Sequence, residues 1–402
     1  MTIEIRNPSA DEWRAAMETA MTVFADEPRD EDFERFMKTL VRERFYAAYD
    51  GGAPVGTAAD FQFTLTVPGG ELAAGGVTWV AVLPTHRRQG ILTELMRREL
   101  QDLHERGDPL AVLWASEAAI YGRFGYGLAA PHFEMDADRA RFALRDDPGP
   151  RGKVRMASLE DAIEPCMRVY DRVRPTIPGF TARERMWWEE FRLFDSESSR
   201  RGASPKYVAI VELDGEPSAY AIYRIKQEWR HGFSYSEVRV VEALAANTTA
   251  ERDLWRFVFG IDLIARVSSR LDPASPLFLM VVDARSLNLR VSEGLWLRLV
   301  DVEGALRGRS YASDEEVVVD VRDEFCPWNA GRWRVSGNGV ERTNTDADLE
   351  LDVADLASVY LGAFTFSRLA AAERVREVKA GALARADELF RTARLPYCPE
   401  DF

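Results

Sequence analysis

The sequence predicts an α/β protein of three units: two similar α/β units in tandem, followed by a smaller α+β unit. Three observations predict this. The chain has 402 residues, well over twice the roughly 150 of an average domain. Apolar residues make up 46% and charged residues 29%, the balance of a folded globular protein rather than a disordered or fibrous one. Short apolar runs alternate with segments of helical periodicity along most of the chain, and from about Gly294 strands come first and helices follow.

Taken in order, Ile3 and Ile5 alternate in a short strand over residues 2–6. The cluster Asn7-Pro8-Ser9-Ala10-Asp11-Glu12 starts a helix carrying Trp13, Ala16, Met17, Ala20, Val23 and Phe24 at helical spacing. Phe33, Phe36, Met37, Leu40 and Val41 mark a second amphipathic helix. Phe45–Tyr49 and Val55–Ala59 flank the turn Asp50-Gly51-Gly52-Ala53-Pro54 as a hairpin, and Phe61–Val67 and Gly76–Val82 read as further strands. A helix over Ile91–Leu100, a strand over Leu110–Trp114 and a last helix complete the first unit, with limits 1–147.

The stretch Asp146–Gly152 is a linker. The second unit, 148–290, begins with helices from Ser158 to Trp188, continues with strands Tyr207–Val211 and Ala219–Tyr223 about the turn Asp214–Pro217, and adds a strand Ser236–Leu244 and a helix Ala250–Ile264. Its order resembles that of the first unit and suggests a degenerate repeat. The third unit, 291–402, has strands at Leu295–Val300, Glu316–Val321, Gly331–Val335 and Asp348–Val353, with helices Asp355–Leu361 and Ser367–Val378.

Several classes are excluded. The longest apolar runs, such as Leu277–Val282, are far short of a membrane span. MTIEIRNPSADEW has no apolar signal core. Cys166, Cys326 and Cys398 are too few and too scattered for a disulfide framework or a zinc site, so a reducing cytoplasm and no metal are expected. With 66 acids against 52 Lys and Arg, the net charge is -14, unsuited to nucleic acid and compatible with a cationic ligand. Ala25–Glu34 holds six acids and one Arg. On pattern alone it is a solvated loop at a helix start, with an acidic lip for a polycation as the functional alternative.

Chemistry concentrates at Val80-Ala81-Val82-Leu83-Pro84-Thr85-His86-Arg87-Arg88-Gln89-Gly90-Ile91-Leu92. A strand stops at Pro84, and the turn Arg87–Gly90 leads straight into a helix. Free backbone N–H groups at such a helix start attract an anion. Gly90 lets a diphosphate approach the backbone, and two arginines add forked positive donors. The alternative is a basic turn beginning an ordinary helix. The Lys-Ser/Thr of a P-loop is missing.

Here the chain resembles the GCN5-related N-acetyltransferases, whose acetyl-CoA loop reads R/Q-x-x-G-x-G/A. Arg87 falls first and Gly90 fourth, with Leu92 in place of the final small residue. The resemblance implies that Arg87, Arg88, Gln89, Gly90, Ile91, Leu92 and Thr93 hold the phosphates and that the strand Val80, Ala81, Val82 pairs with the pantetheine arm. Trp114–Gly127, with Ser116, Glu117 and Tyr121, resembles the family's second signature. On that match Ser116 and Glu117 also touch the cofactor. Tyr121, rather than Tyr126, stands beside the thioester sulfur as general acid, for which a phenol of pKa about 10 is suited. A packed aromatic is the other reading of Tyr121.

Three units, both motifs and an acid-Phe ending together resemble the Eis (enhanced intracellular survival) family over essentially the whole chain. That resemblance implies a cofactor-binding first acetyltransferase unit, a degenerate second one and a sterol-carrier-like third. Val241–Thr249 indeed lacks the Arg and Gly of a phosphate loop. It further implies a hexamer that acetylates aminoglycosides at several amines, with acetyl-CoA as cosubstrate. The terminal α-carboxylate of Phe402 would then be the general base, although chain ends usually fray. The same match places Phe24, Asp26, Phe36, Trp79, Trp114 and Asp401 around the amine pocket, the two tryptophans bulkier than usual, so the pocket is narrower. An acetyltransferase of protein lysines or polyamines, and a lipid-binding module with a vestigial acetyltransferase fold, are the competing readings.

Overall fold

Residues 53–67 form one long strand where the alternation suggested two. The computed structural model describes residues 3–27 and 29–402. Thr2, expected to open the first strand, and Pro28, within the acidic stretch, lie outside the described residues. The first unit begins with β1 (Glu4–Arg6), α1 (Trp13–Phe24) and α2 (Asp30–Thr39). The hairpin strands β2 (Phe45–Asp50) and β3 (Ala53–Val67) follow, then β4 (Gly70–Val82), α3 (Ile91–Arg106) and β5 (Leu110–Trp114). β4 begins at Gly70 rather than Gly76, and α3 runs on to Arg106 rather than Leu100. A Cβ at Gly76 would overlap the Phe63 ring on β3, so glycine here serves close packing.

After a one-turn helix α4 (Ala118–Tyr121), β6 (Gly127–Asp138) starts in the first unit and ends in the second. The pattern gave no strand there. The second unit contains β7 (Lys153–Ala157), α5 (Leu159–Val173), the short α6 (Arg185–Trp187), β8 (Tyr207–Leu213), β9 (Glu216–Lys226), the small hairpin β10 (Trp229–Arg230) and β11 (Phe233–Ser234), β12 (Ser236–Ala245), α7 (Thr248–Gly260) and β13 (Ile264–Leu271). The helix expected to reach Ile264 stops at Gly260, because the chain reverses at Leu263 with φ 59 and re-enters as β13.

By packing, the chain divides into two compact units. One compact unit comprises residues up to Ala130 with Gly294–Leu395 and Glu400–Phe402; the other comprises Pro131–Glu293 with Pro396–Pro399. The strand β14 (Arg290–Leu299), grouped on sequence with the third unit, pairs antiparallel with β5 through Leu295–Leu299. The first unit's sheet therefore runs β1-β2-β3-β4-β5-β14, with only β4 and β5 parallel. A second sheet of this unit is ordered Gly339–Arg342, Gly331–Ser336, Glu316–Arg322, Leu349–Asp352, Val375–Glu377. The helix expected over Ser367–Val378 ends at Ala371; Glu373 turns the chain at φ 60, and Val375–Glu377 pairs as an edge strand. Ala382–Phe390 is a helix that the sequence reading passed over.

The second unit's sheet runs β6-β13-β12-β9-β8-β7, with β12 and β13 parallel. That parallel pairing stops at Val240, while β12 continues to Ala245 through a bulge beside Glu242. Glu242 is buried and accepts both forks of Arg183, at 2.9 and 2.7 Å, together with the Tyr220 hydroxyl at 2.5 Å. Arg192 stands 3.4 Å away. The helix after β12 is capped by Asn247, whose Oδ1 accepts the Ala250 N–H at 3.0 Å.

Candidate active site

The site begins where β4 and β5 part. Their parallel ladder covers only Ala74–Gly76 against Leu110–Val112, so Val77–Val82 and the end of β5 leave a gap between them. On its other edge β4 carries a bulge: Thr57 faces Ala81 and Ala59 faces Thr78, so Trp79 and Val80 together oppose Ala58. Trp79 takes φ 54, and Thr57 Oγ1 donates to its carbonyl at 2.7 Å. The bulge takes this stretch of backbone out of the ladder. Nothing in the alternation of β4 signals it.

β4 ends at Val82, Pro84–His86 make one 3₁₀ turn, and Arg88 adopts φ 63. Gly90 then enters α3 at φ 85, ψ −5, with no side chain capping the helix. Glu94 is the first to donate within the helix, to the Gly90 carbonyl at 3.1 Å, so the amides of Ile91, Leu92 and Thr93 precede the first internal bond. A Cβ at Gly90 would meet nothing within 4 Å; glycine is needed there for its φ, and the space outside is open. An open helix start of 16 residues beside two arginines suits a diphosphate.

A cleft of about 560 Å³ opens at this point. Of the residues expected to bind cofactor or catalyse, Val80–Val82, Arg87, Arg88, Gly90–Thr93, Ser116, Glu117 and Tyr121 line it. Gln89 does not, and its amide donates to the Thr85 carbonyl at 3.4 Å. Phe24 also lines the cleft, but the other expected amine-pocket residues do not. Phe36 and Trp79 meet edge to face at 4.6 Å, beside Phe45. Asp26 is exposed just past the C-terminus of α1, Trp114 is half-buried at the end of β5, and Asp401 is exposed. Phe402 stands edge-on to Phe63 at 4.9 Å, and Phe63 is the ring lying over Gly76, where the β4–β5 ladder ends. Val23, His86, Ile120 and Arg123 line the cleft as well and were missed; for Arg123, its place two residues after Tyr121 was the available signal.

Tyr121 is 6% exposed. Burial, and then the Glu99 carboxyl, push its hydroxyl up to about 12, against a smaller opposing effect of Ser116. Glu99, on α3, is itself fully buried with neither side-chain oxygen hydrogen-bonded, and burial holds its carboxyl well above the usual range. The Tyr126 ring lies 6.0 Å from that of Tyr121 and is fully buried, a core position. Among the described residues no helix is long and apolar enough to cross a membrane.

Comparison with known proteins bears on this geometry. Family models described as acetyltransferase (GNAT) domains match residues 4–129 and 179–299, and one described as a sterol carrier protein domain matches 302–399. An N-acetyltransferase of Streptomyces avermitilis is 41% identical, with all of both chains covered. The N-acetyltransferase Eis of Mycobacterium tuberculosis is 32% identical over 97% of each chain. The crystal structure of Eis1 from Mycobacterium abscessus superposes with a TM-score of 0.88 at 33% identity, covering 100% of both chains.

Proposed function

This chain belongs to the Eis N-acetyltransferase family, and on that premise we propose that it carries acetyl groups from acetyl-CoA to amines of aminoglycosides, at more than one position. It is an acyltransferase with two GNAT domains and a sterol-carrier domain, and we keep 1–147, 148–290 and 291–402 as their limits. One observation carries the cofactor reading: the uncapped amides that open α3 and the Tyr121 side chain share a single cleft.

Acetyl-CoA supplies an activated acetyl thioester. The amides of Ile91, Leu92 and Thr93, with Arg88, hold the phosphates, and the freed edge of Val80–Val82 aligns the pantetheine arm. Tyr121, raised to about 12 by burial, keeps its proton until negative charge develops on sulfur. As the amine nitrogen bonds to the acetyl carbon and the carbon–sulfur bond breaks, Tyr121 donates that proton to sulfur. The Phe402 carboxylate, its ring anchored on Phe63, takes a proton from the bound ammonium so that the free amine can attack; the second nitrogen proton, lost as the adduct collapses, restores the Tyr121 phenol. The acidic stretch after α1 and the aromatic group around Trp79 suit a polycationic sugar. The chain works as a cytoplasmic homo-oligomer, a hexamer.

Acetyl-CoA turnover with kanamycin, neomycin, spermidine and lysine peptides, followed by mass spectrometry, tests the acceptor. Two or more acetyl groups on neomycin are expected. Turnover confined to spermidine or peptides would replace the aminoglycoside, and no coenzyme A release with any amine would leave the lipid-module reading. Deleting Phe402 should lower kcat by about 10²-fold while coenzyme A still binds.

A further inference from the structure

We propose that Arg123 grips the 3′-phosphate of coenzyme A, so that the cleft reads its cosubstrate at two separate phosphate centres. The inference rests on the acetyl-CoA reading and deepens it. The cleft has two walls. One is the loop after β4 with the first turn of α3, where amides and Arg88 gather; Arg87 there is partly tied, its Nε donating to the Val82 carbonyl at 3.3 Å. The other wall is the segment after β5, and its cation is Arg123.

Arg123 sits on the 3₁₀ turn Gly122–Phe124 with its guanidinium 4.8 Å from the centre of the buried Phe124 ring. The stem is thereby anchored while the residue stays exposed. Among the described residues it has neither an ion pair nor a hydrogen bond. That is notable in a chain of 66 acids and 52 bases, and Glu117, a carboxylate lining the same cleft, does not pair with it. A forked donor in a cleft, left unpaired by the carboxylate beside it, is matched to an external anion. Coenzyme A brings two phosphate centres: a diphosphate, which the amides of α3 serve, and a ribose monoester carrying close to two charges. The monoester needs a cation away from the helix start, and Arg123 supplies it from the opposite wall.

Titration calorimetry with coenzyme A and 3′-dephospho-coenzyme A tests this on the full chain. The unaltered protein should prefer coenzyme A by about tenfold or more. Arg123→Ala should abolish that preference while the dephospho ligand keeps its affinity within about twofold, which also shows that the variant is folded. Arg123→Lys should keep part of it. A preference that survives in Arg123→Ala, a parallel loss for both ligands, or equal binding of the two by the unaltered protein overturns the inference and leaves the cofactor reading in place. Binding of neither ligand by the unaltered protein overturns both.

Discussion

Both units contain a strand that passes through a bulge, runs on beyond its parallel neighbour and feeds a helix. In the first unit that strand is β4, and the helix behind it starts without a side-chain cap. In the second it is β12; Asn247 caps the helix and a buried Arg183–Glu242–Tyr220 cluster follows the bulge. The backbone plan is nearly the same, but the polar groups are spent differently. The second junction caps its helix with Asn247 and pairs Glu242 internally with Arg183 and Tyr220. The first leaves the amides that open its helix uncapped beside Arg88, around a cleft of about 560 Å³, a state that a ligand can stabilise.

The comparison can be broken most severely in the second unit. Arg183→Ala leaves the Glu242 carboxylate buried without its bidentate partner and should cost about 3–5 kcal/mol, read as a lower urea midpoint. Burial alone would raise the Glu242 carboxyl, but Arg183 and Arg192 outweigh it and hold the group below the usual range. Its contribution to stability is therefore complete above the unfolded carboxylate pKa of about 4.3 and is lost as pH falls through the folded value of about 2. Acid titration of the variant should show unfolding beginning at higher pH than in the parent. Unchanged acid and urea transitions would show that the cluster is not structural.

In the first unit, Tyr121→Phe should lower kcat by about 10²-fold or more without altering the affinity for coenzyme A, measured by thiol release and calorimetry. Gly90→Ala forces a side chain into φ 85 at a cost of about 1–2 kcal/mol. Coenzyme A should then bind roughly tenfold more weakly, with Gly90→Asn in between. The smallest effect belongs to the capped junction: Asn247→Ala should cost about 1 kcal/mol of stability and leave acetyl transfer untouched. A loss of activity there would mean that the two junctions are not functionally distinct.

Much of the cleft was legible because its signals are local. Pro84, the two arginines and Gly90 mark the turn, and Trp114–Tyr121 repeats the strand-to-helix step. Long-range features were not legible. Leu295–Leu299 alternates like any strand, and only packing shows that it lies beside β5. Nothing local tells that the strand read from Gly76 begins at Gly70, or that the Phe63 ring lies over Gly76. Trp79, Leu263 and Glu373 take positive φ without the glycine or asparagine that would announce it. Glu99 sits on the buried face of an amphipathic helix, where an acid reads as a break in the pattern rather than as the neighbour of Tyr121.

The first unit is assembled from the two ends of the chain, with nearly all of the second inserted between Ala130 and Gly294. On the ribosome, the inserted stretch emerges almost whole and can collapse early. The earlier segment must wait, with the β5 edge uncovered, until Leu295–Leu299 is synthesised. The nascent protein therefore spends more than a hundred and fifty codons with an unsealed sheet, a window for chaperone capture or for mispairing between neighbouring polysomal chains.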